Sequence, residues 1–299
     1  MSDITAPVQD VDVVVNRGIW WRMANGLGTF IRRSPLSAFW GLIGILIIVM
    51  AVSAPLITPY PPLKSDFRAM TKEPSEKHWF GTDQIGRDTL SRVIYGARVP
   101  LLVGFLATAT SMLLGILIGS FSGYFGGRTD VILMRATEYV LVVPRFFLAL
   151  LVVAMLGTGV MKIVLVIGLL GWPEVARVVR AQFLTLRERE FVLAARAIGA
   201  SHIKVIFGEI LPNAIPPAVV VASILVARAI LLEAGLSFLG LGDPNLISWG
   251  SLLSEAQERI SASVWLAVFP GTALSLLVLC VNLFGDGIND VLNPKLGKR

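Results

Sequence analysis

Charge is scarce in this sequence. Asp, Glu, Lys and Arg make up 15% of its 299 residues, where soluble domains carry roughly 25%, so the length of two soluble domains comes without the polar surface they would need. Cysteine is nearly absent. Cys280 stands alone inside an apolar run, which excludes an intramolecular disulfide and reads as a buried small hydrophobe. The two histidines, His78 and His202, lie in different loops, and one ring in each place does not make a metal site. No stretch fits GxxxxGK[ST], since Gly297-Lys298 is followed by Arg299. The loop that would cradle ATP phosphates is missing, and any ATP must act through another chain.

What is abundant is apolar sequence, with a mean hydropathy of +0.75. Three runs carry no charge at all: Ser34 to Leu63, Val99 to Gly127 and Ile260 to Gly285. Each exceeds the roughly 20 residues that cross a hydrocarbon core. Three further spans are interrupted. Phe146 to Met161 is short, so its helix is expected to begin within the preceding "YVLVVPR"; Ile163 to Pro173 runs into "EVARVVRAQF"; Ile210 to Ala227 continues past Arg228 to Leu232. The expectation is an all-α polytopic membrane protein of six spans. Trp172-Pro173 is expected to kink the fourth of them, because proline removes a backbone donor and crowds the preceding turn.

Arg17, Arg22, Arg32 and Arg33 precede the first run, which is too long for a signal-peptide core. It reads as a retained anchor. With six spans both termini fall in the cytoplasm, the inner side then holding 15 Lys and Arg against 9 outside. The net charge of +6 follows loops and tails rather than a stripe suited to nucleic acid. On this topology residues 1–34 are a cytoplasmic tail, 35–57 the first span, 58–98 an outer loop, 99–288 the core, and 289–299 a second cytoplasmic tail. In the outer loop, "GTDQIGRDTLSR" spaces no nucleophile against a base. It reads as a turn and a helix start, with Asp83 or Asp88 as caps and Arg87 pairing locally.

One charged stretch, "REREFVLAARAIGASHIKVIFGEILPN" from Arg187 to Asn213, interrupts the apolar sequence. Phe191, Ala194, Ala195 and Ile198 follow one helical face; Gly199 then breaks the helix as a residue tolerant of positive φ. Ser201 can cap a second segment, in which Ile203, Ile206, Phe207 and Ile210 recur at i, i+3, i+4, i+7. Pro212 ends that segment or opens the next span. Two short amphipathic helices joined at Gly199 would lie in the headgroup layer or dock into a groove on a cytoplasmic partner.

The order Ala194-Ala195, three residues, Gly199, then Leu211-Pro212 resembles the cytoplasmic loop of ABC importer permeases. Leu193 stands where that motif has Glu, and Glu209 where it has Ile. "HWFGTDQIGRDTLSRVIYGARVPLLVG", "LLEAGLSFLGLGDPNLISWGSLLSEA" and the terminal "DVLNPKLGKR" narrow the resemblance to the dipeptide, oligopeptide and nickel permease subfamily. It implies a type I importer permease fold, a second homologous permease subunit, cytoplasmic ATPase subunits that hold ATP and Mg, and an extracytoplasmic substrate-binding protein. No cofactor is expected on this chain, and the chain is expected to be a transport subunit rather than an enzyme. The loop at about 187–212, with Ala194, Ala195, Ile198, Gly199, Ile203, Ile206, Phe207, Leu211 and Pro212, would couple to the ATPase. An ion-coupled secondary transporter or channel is the alternative, and it would call for inverted repeats that the sequence does not display.

Glu138, Arg145, Glu174, Arg228 and Glu233 place charge in or beside the spans, where each costs roughly 2.5 kcal/mol or more unless paired or hydrated. Glu138, Arg145 and Glu174 read as snorkelling or paired groups near the inner interface. Arg228 is deeper. With Glu233 and Trp172 it is the candidate lining of a substrate pathway.

Overall fold

The computed structural model describes residues 30–31 and 34–292. Helices dominate. α1 (Pro35–Val52) is followed by the short α2 (Ala54–Ile57). An irregular segment leads to α3 (Thr89–Gly96) and α4 (Arg98–Phe125). Then come α5 (Gly127–Val142), α6 (Arg145–Leu156) and α7 (Val160–Leu186). α8 (Glu190–Ala197) and the single turn α9 (His202–Lys204) form the charged stretch, and α9 passes through a π-helical turn, Val205–Ile210, into α10 (Leu211–Phe238). α11 (Trp249–Gln257) and α12 (Trp265–Leu292) complete the order.

Four helical stretches are long and apolar enough to cross a membrane: Pro35–Val52, Thr89–Phe125, His202–Phe238 and Trp265–Val291. α5 and α6 make a fifth if they are one broken span, bent by 86°. The break falls at Val143-Pro144, and not within a continuous helix through "YVLVVPR", because proline lacks the N–H and pushes the residue before it out of the α region. The remaining expected span corresponds to α7, 27 residues long, which continues through Pro173. Lys162, Glu174, Arg177 and Arg180 lower its hydropathy. Both tails fall largely outside the described residues.

α4 and α7 pack together along most of their length. Gly115, Gly119 and Gly123 put one glycine per turn on the contact face of α4. A methyl at Gly119 would sit 2.6 Å from the Ala176 carbonyl and 2.8 Å from Val179 Cβ. Backbones this close are how helices associate in lipid, where van der Waals contact replaces the hydrophobic drive. α10 packs against α4 and α7, and α12 against α1, α10 and α11. Cys280 is buried between α12 and its neighbours, beside Ile47, Leu101 and Leu277.

The two ends of the bundle differ. At one, the irregular segment and α3 meet α11, where the fully buried Trp249 donates from Nε1 to the Val93 carbonyl at 2.8 Å. At the other, Tyr124 in the last turn of α4 bonds His202 Nδ1 at 2.8 Å. The two histidines therefore stand at opposite ends. His78 pairs with Asp88 at 2.9 Å, and among the described residues no group of three or more His, Cys, Asp or Glu could hold a metal.

Candidate functional sites

The charged stretch has two faces. Val192, Val205, Ile206 and Ile210 are fully buried in a cluster with Phe183 and Val179, which anchors the loop to α7. Phe191, Leu193, Ile198, Ile203 and Phe207 are exposed, Ile198 at 86% and Ile203 at 60%. Ala194 and Pro212 are exposed too, while Ala195 and Leu211 are half-buried. Ile206 thus belongs to the anchor, not to the outward surface its spacing suggested, because the π-helical turn re-phases this segment relative to a regular helix.

Gly199 has φ +83°, with nothing within 4 Å of a Cβ placed there. The Gly199 N–H donates to Arg196 and the Ala200 N–H to Ala195, each at 3.0 Å, which is the paired-bond ending that a left-handed glycine permits. Ser201 then accepts from the Lys204 N–H at 3.4 Å as the expected cap. The second segment does not stop at Pro212. That residue follows directly on the π turn inside one continuous helical stretch from His202 to Phe238, and the Asn213 side chain donates to the Glu209 carbonyl at 2.8 Å. Tyr124 pins the loop from α4, with the Arg196 guanidinium 4.9 Å from its ring centre.

At the opposite end, Asp83, Arg87, Arg92 and Glu255 form a network. Arg92, 4% exposed, donates from Nη1 to Asp83 at 2.6 Å and from both Nη1 and Nη2 to Glu255 at 2.7 and 2.8 Å. Arg87 pairs with Asp83 at 2.6 Å, as its spacing suggested, and with Glu255 at 3.0 Å. Asp88 caps α3 by accepting from the Ser91 N–H at 2.8 Å. Glu255, on α11, was not legible as a member; its only signal is an acidic residue in the segment between the last two apolar helices. Arg92→Met leaves Asp83 buried with one cation fewer. It is expected to destabilise the chain by about 3 kcal/mol, read as a lowered Tm of the detergent-purified protein, with Arg92→Lys falling between.

The intramembrane charges separate into groups. Glu138 pairs with Arg135 at 3.2 Å on an exposed face. Glu174, mid-helix on α7, is paired: it accepts from Arg228 Nη1 at 2.7 and 2.9 Å and lies 3.0 Å from Arg145 Nη2. The sequence placed Arg228 apart from Arg145 and Glu174, and the structure joins all three. Glu233 is fully buried and takes the Ser237 hydroxyl at 2.6 Å, away from this cluster. Trp172 is half-buried, and its carbonyl meets Gly115 of α4. Of the three candidate pathway residues, Arg228 alone borders the open cavity beside the triad.

A helical bundle with several apolar spans, no bound-nucleotide loop in its sequence and a two-faced loop at one end has the makings of a membrane transport subunit. Residues 115–298 match the family described as binding-protein-dependent transport system inner membrane component, and the chain belongs to that family. A Brucella suis relative is 42% identical over 277 residues, 91% of each chain. The oligopeptide transport system permease protein OppC of Bacillus subtilis is 39% identical, covering 89% of this chain and 88% of its own. The dipeptide transport system permease protein DppC of Alkalihalophilus pseudofirmus is 37% identical, covering 85% and 86%. The solved structure of the MetNI methionine ABC transporter aligns with a TM-score of 0.53 at 17% identity, covering 70% of this chain and 97% of that one, which supports the type I importer permease fold. The chain is an ABC importer permease, a multi-pass inner-membrane component. That membership displaces the ATP-independent secondary transporter or channel.

Proposed function

We propose that this chain forms half of a path for peptides or similar small solutes, beside a second, homologous permease subunit. The names of its oligopeptide and dipeptide permease relatives support the cargo. An extracytoplasmic binding protein delivers the solute, and separate cytoplasmic subunits bind ATP and Mg. The observation that carries the coupling reading is the two-faced loop: an inner side held by Val192, Val205, Ile206 and Ile210, and an outer side that leaves Phe191, Ile198, Ile203 and Phe207 uncovered. A rigidly anchored loop with an apolar outer surface fits a docking element that carries motion of an ATPase into the spans. Arg228 lines the solute path.

The proposed orientation puts residues 1–34, 187–212 and 289–299 in the cytoplasm and 58–98 outside. Cysteines at Ser75 and Ser201, both exposed, test it, and the buried Cys280 adds little background. A membrane-impermeant maleimide is expected to label Ser75→Cys in intact cells and Ser201→Cys only after permeabilisation. Labelling of Ser201→Cys from outside removes the coupling reading.

A further inference from the structure

The triad holds two guanidiniums and one carboxylate, an excess of one positive charge within the spans. Arg228 lies on α10 ten residues before the helix ends at Phe238, about 15 Å from that end at 1.5 Å per residue. Only its Nη1 is engaged by Glu174. Among the described residues, Nε and Nη2 of Arg228 have no protein partner, and the side chain is 52% exposed. It borders an open cavity of about 670 Å³, which Arg145 and Glu174 share and whose walls include Leu141, Phe146 and Leu231. That volume lies in the range of small-molecule sites, which combine apolar walls with a few convergent polar groups.

We infer that Arg228, backed by Arg145, is a carboxylate-binding subsite in the solute path, taking the C-terminal carboxylate of a peptide in transit while Glu174 holds both guanidiniums in place. The inference rests on the peptide reading proposed above. Its chemistry is that of the guanidinium fork: Nε and Nη2 form one edge, and a planar edge of two N–H donors matches the two oxygens of a carboxylate. Glu174 accepts from Nη1 alone, so the fork edge is left for a ligand. The same carboxylate fixes the arginine rotamer and reduces the site to a single excess charge. A site with one net charge can release its anion; two unopposed guanidiniums would retain it. The apolar walls suit peptide side chains of varied identity, since they offer area without further hydrogen-bond demands.

The test uses the full complex in vesicles with its ATPase subunits and its binding protein. The probes are a mixed tripeptide library and the same library amidated at the C-terminus. Each is supplied at saturating concentration over the binding protein, whose Kd for both is measured separately, so that discrimination by the permease alone is read from maximal uptake. The wild type is expected to take the free acids about ten-fold faster than the amides, the scale of a hydrogen-bonded charge. Arg228→Gln is expected to bring that ratio close to one, and Arg228→Lys, which keeps the charge without the fork, to lie between. Glu174→Gln leaves two unopposed guanidiniums that retain the anion, and is expected to slow maximal uptake of the free acids and so lower the ratio; it also decides the matter if Arg228→Gln does not accumulate. An acid-to-amide ratio equal in the wild type, Arg228→Gln and Glu174→Gln overturns the subsite. Loss of the second permease subunit from purified Arg228→Gln complexes also overturns it, by assigning the fork to a partner carboxylate. Uptake of neither library by the wild type overturns the peptide reading itself, and the subsite with it.

Discussion

Alanine at Gly119 is expected to lower the yield and the Tm of the folded protein, and leucine to remove nearly all of it. The β-carbon itself is the problem. It would lie 2.6 Å from the Ala176 carbonyl oxygen, 2.8 Å from Val179 Cβ and 3.1 Å from the Arg180 nitrogen. Two of those three atoms are backbone, so no rotamer change on α7 makes room and the helices must separate. Separation is felt one turn away on either side, since a Cβ at Gly115 or Gly123 would already meet Val175 Cβ at 2.4 Å or Phe183 Cβ at 2.5 Å. Overpacking of a close-fitted core costs about 1–3 kcal/mol, against a total stability of roughly 5–15 kcal/mol. A rigid contact repeated over three turns belongs at or beyond the top of that range. The control is Gly271→Ala, where the nearest contact is Leu253 Cδ2 at an ordinary 3.7 Å. After mild detergent extraction, Gly271→Ala is expected to match the wild type in monodisperse yield and Tm, Gly119→Ala to fall well below both, and Gly119→Leu to be recovered mainly as aggregate. Normal recovery of Gly119→Leu would mean that α4 and α7 are not in contact there.

The same helix pair marks the division between what could be read from the sequence and what could not. Apolar runs declare spans by composition alone, so Pro35–Val52, Thr89–Phe125 and Trp265–Val291 were legible from hydropathy. α7 was harder, because the charges that bind it to its neighbours dilute the signal: Arg180 is paired with Asp130 of α5, and Glu174 with Arg228 of α10. The spacing of Gly115, Gly119 and Gly123 is a small-residue repeat of the kind that lets helices approach closely.

In the loop, Gly199 and Ser201 announced their geometry, since positive φ and helix capping are local properties of one residue type. The face of Ile206 did not. Helical periodicity assumes 3.6 residues per turn, and the wider π turn from Val205 to Ile210 alters that phase. Glu255 joining Arg92 across 163 positions is illegible for a different reason: only the packing of α11 against α3 brings those residues together, and nothing in either stretch names the other.

Aspartate at both Ile198 and Ile203 is expected to leave the permease folded and to abolish ATP-driven uptake, at least ten-fold below the wild type. The two residues flank Gly199 and are 86% and 60% exposed, so the change removes little packing from this chain. Surface substitutions of that kind usually stay within about 0.5 kcal/mol. On the proposed docking the situation differs, because two carboxylates would be taken out of water where two isoleucines had been covered. Phe207→Asp is expected to act in the same direction and less strongly, being only 37% exposed. Gly199→Val separates geometry from chemistry. No atom stands within 4 Å of its new Cβ, so its penalty is the left-handed backbone at φ +83°, on the order of 1 kcal/mol or more. Relief of that strain rotates α8 against α9 and changes the outward surface without adding a charge. The Asp pair is therefore expected to lose the ATPase subunits on co-purification, whereas Gly199→Val is expected to keep part of them and hydrolyse ATP without matching uptake. Ile206→Asp is the counter-test: buried at 0% exposure, it is expected to fail in folding before it can fail in coupling. Uptake and substrate-stimulated ATP hydrolysis in vesicles, normalised to assembled complex, distinguish the outcomes. Wild-type coupling by the Asp pair would leave the exposed side of this loop with no role in docking.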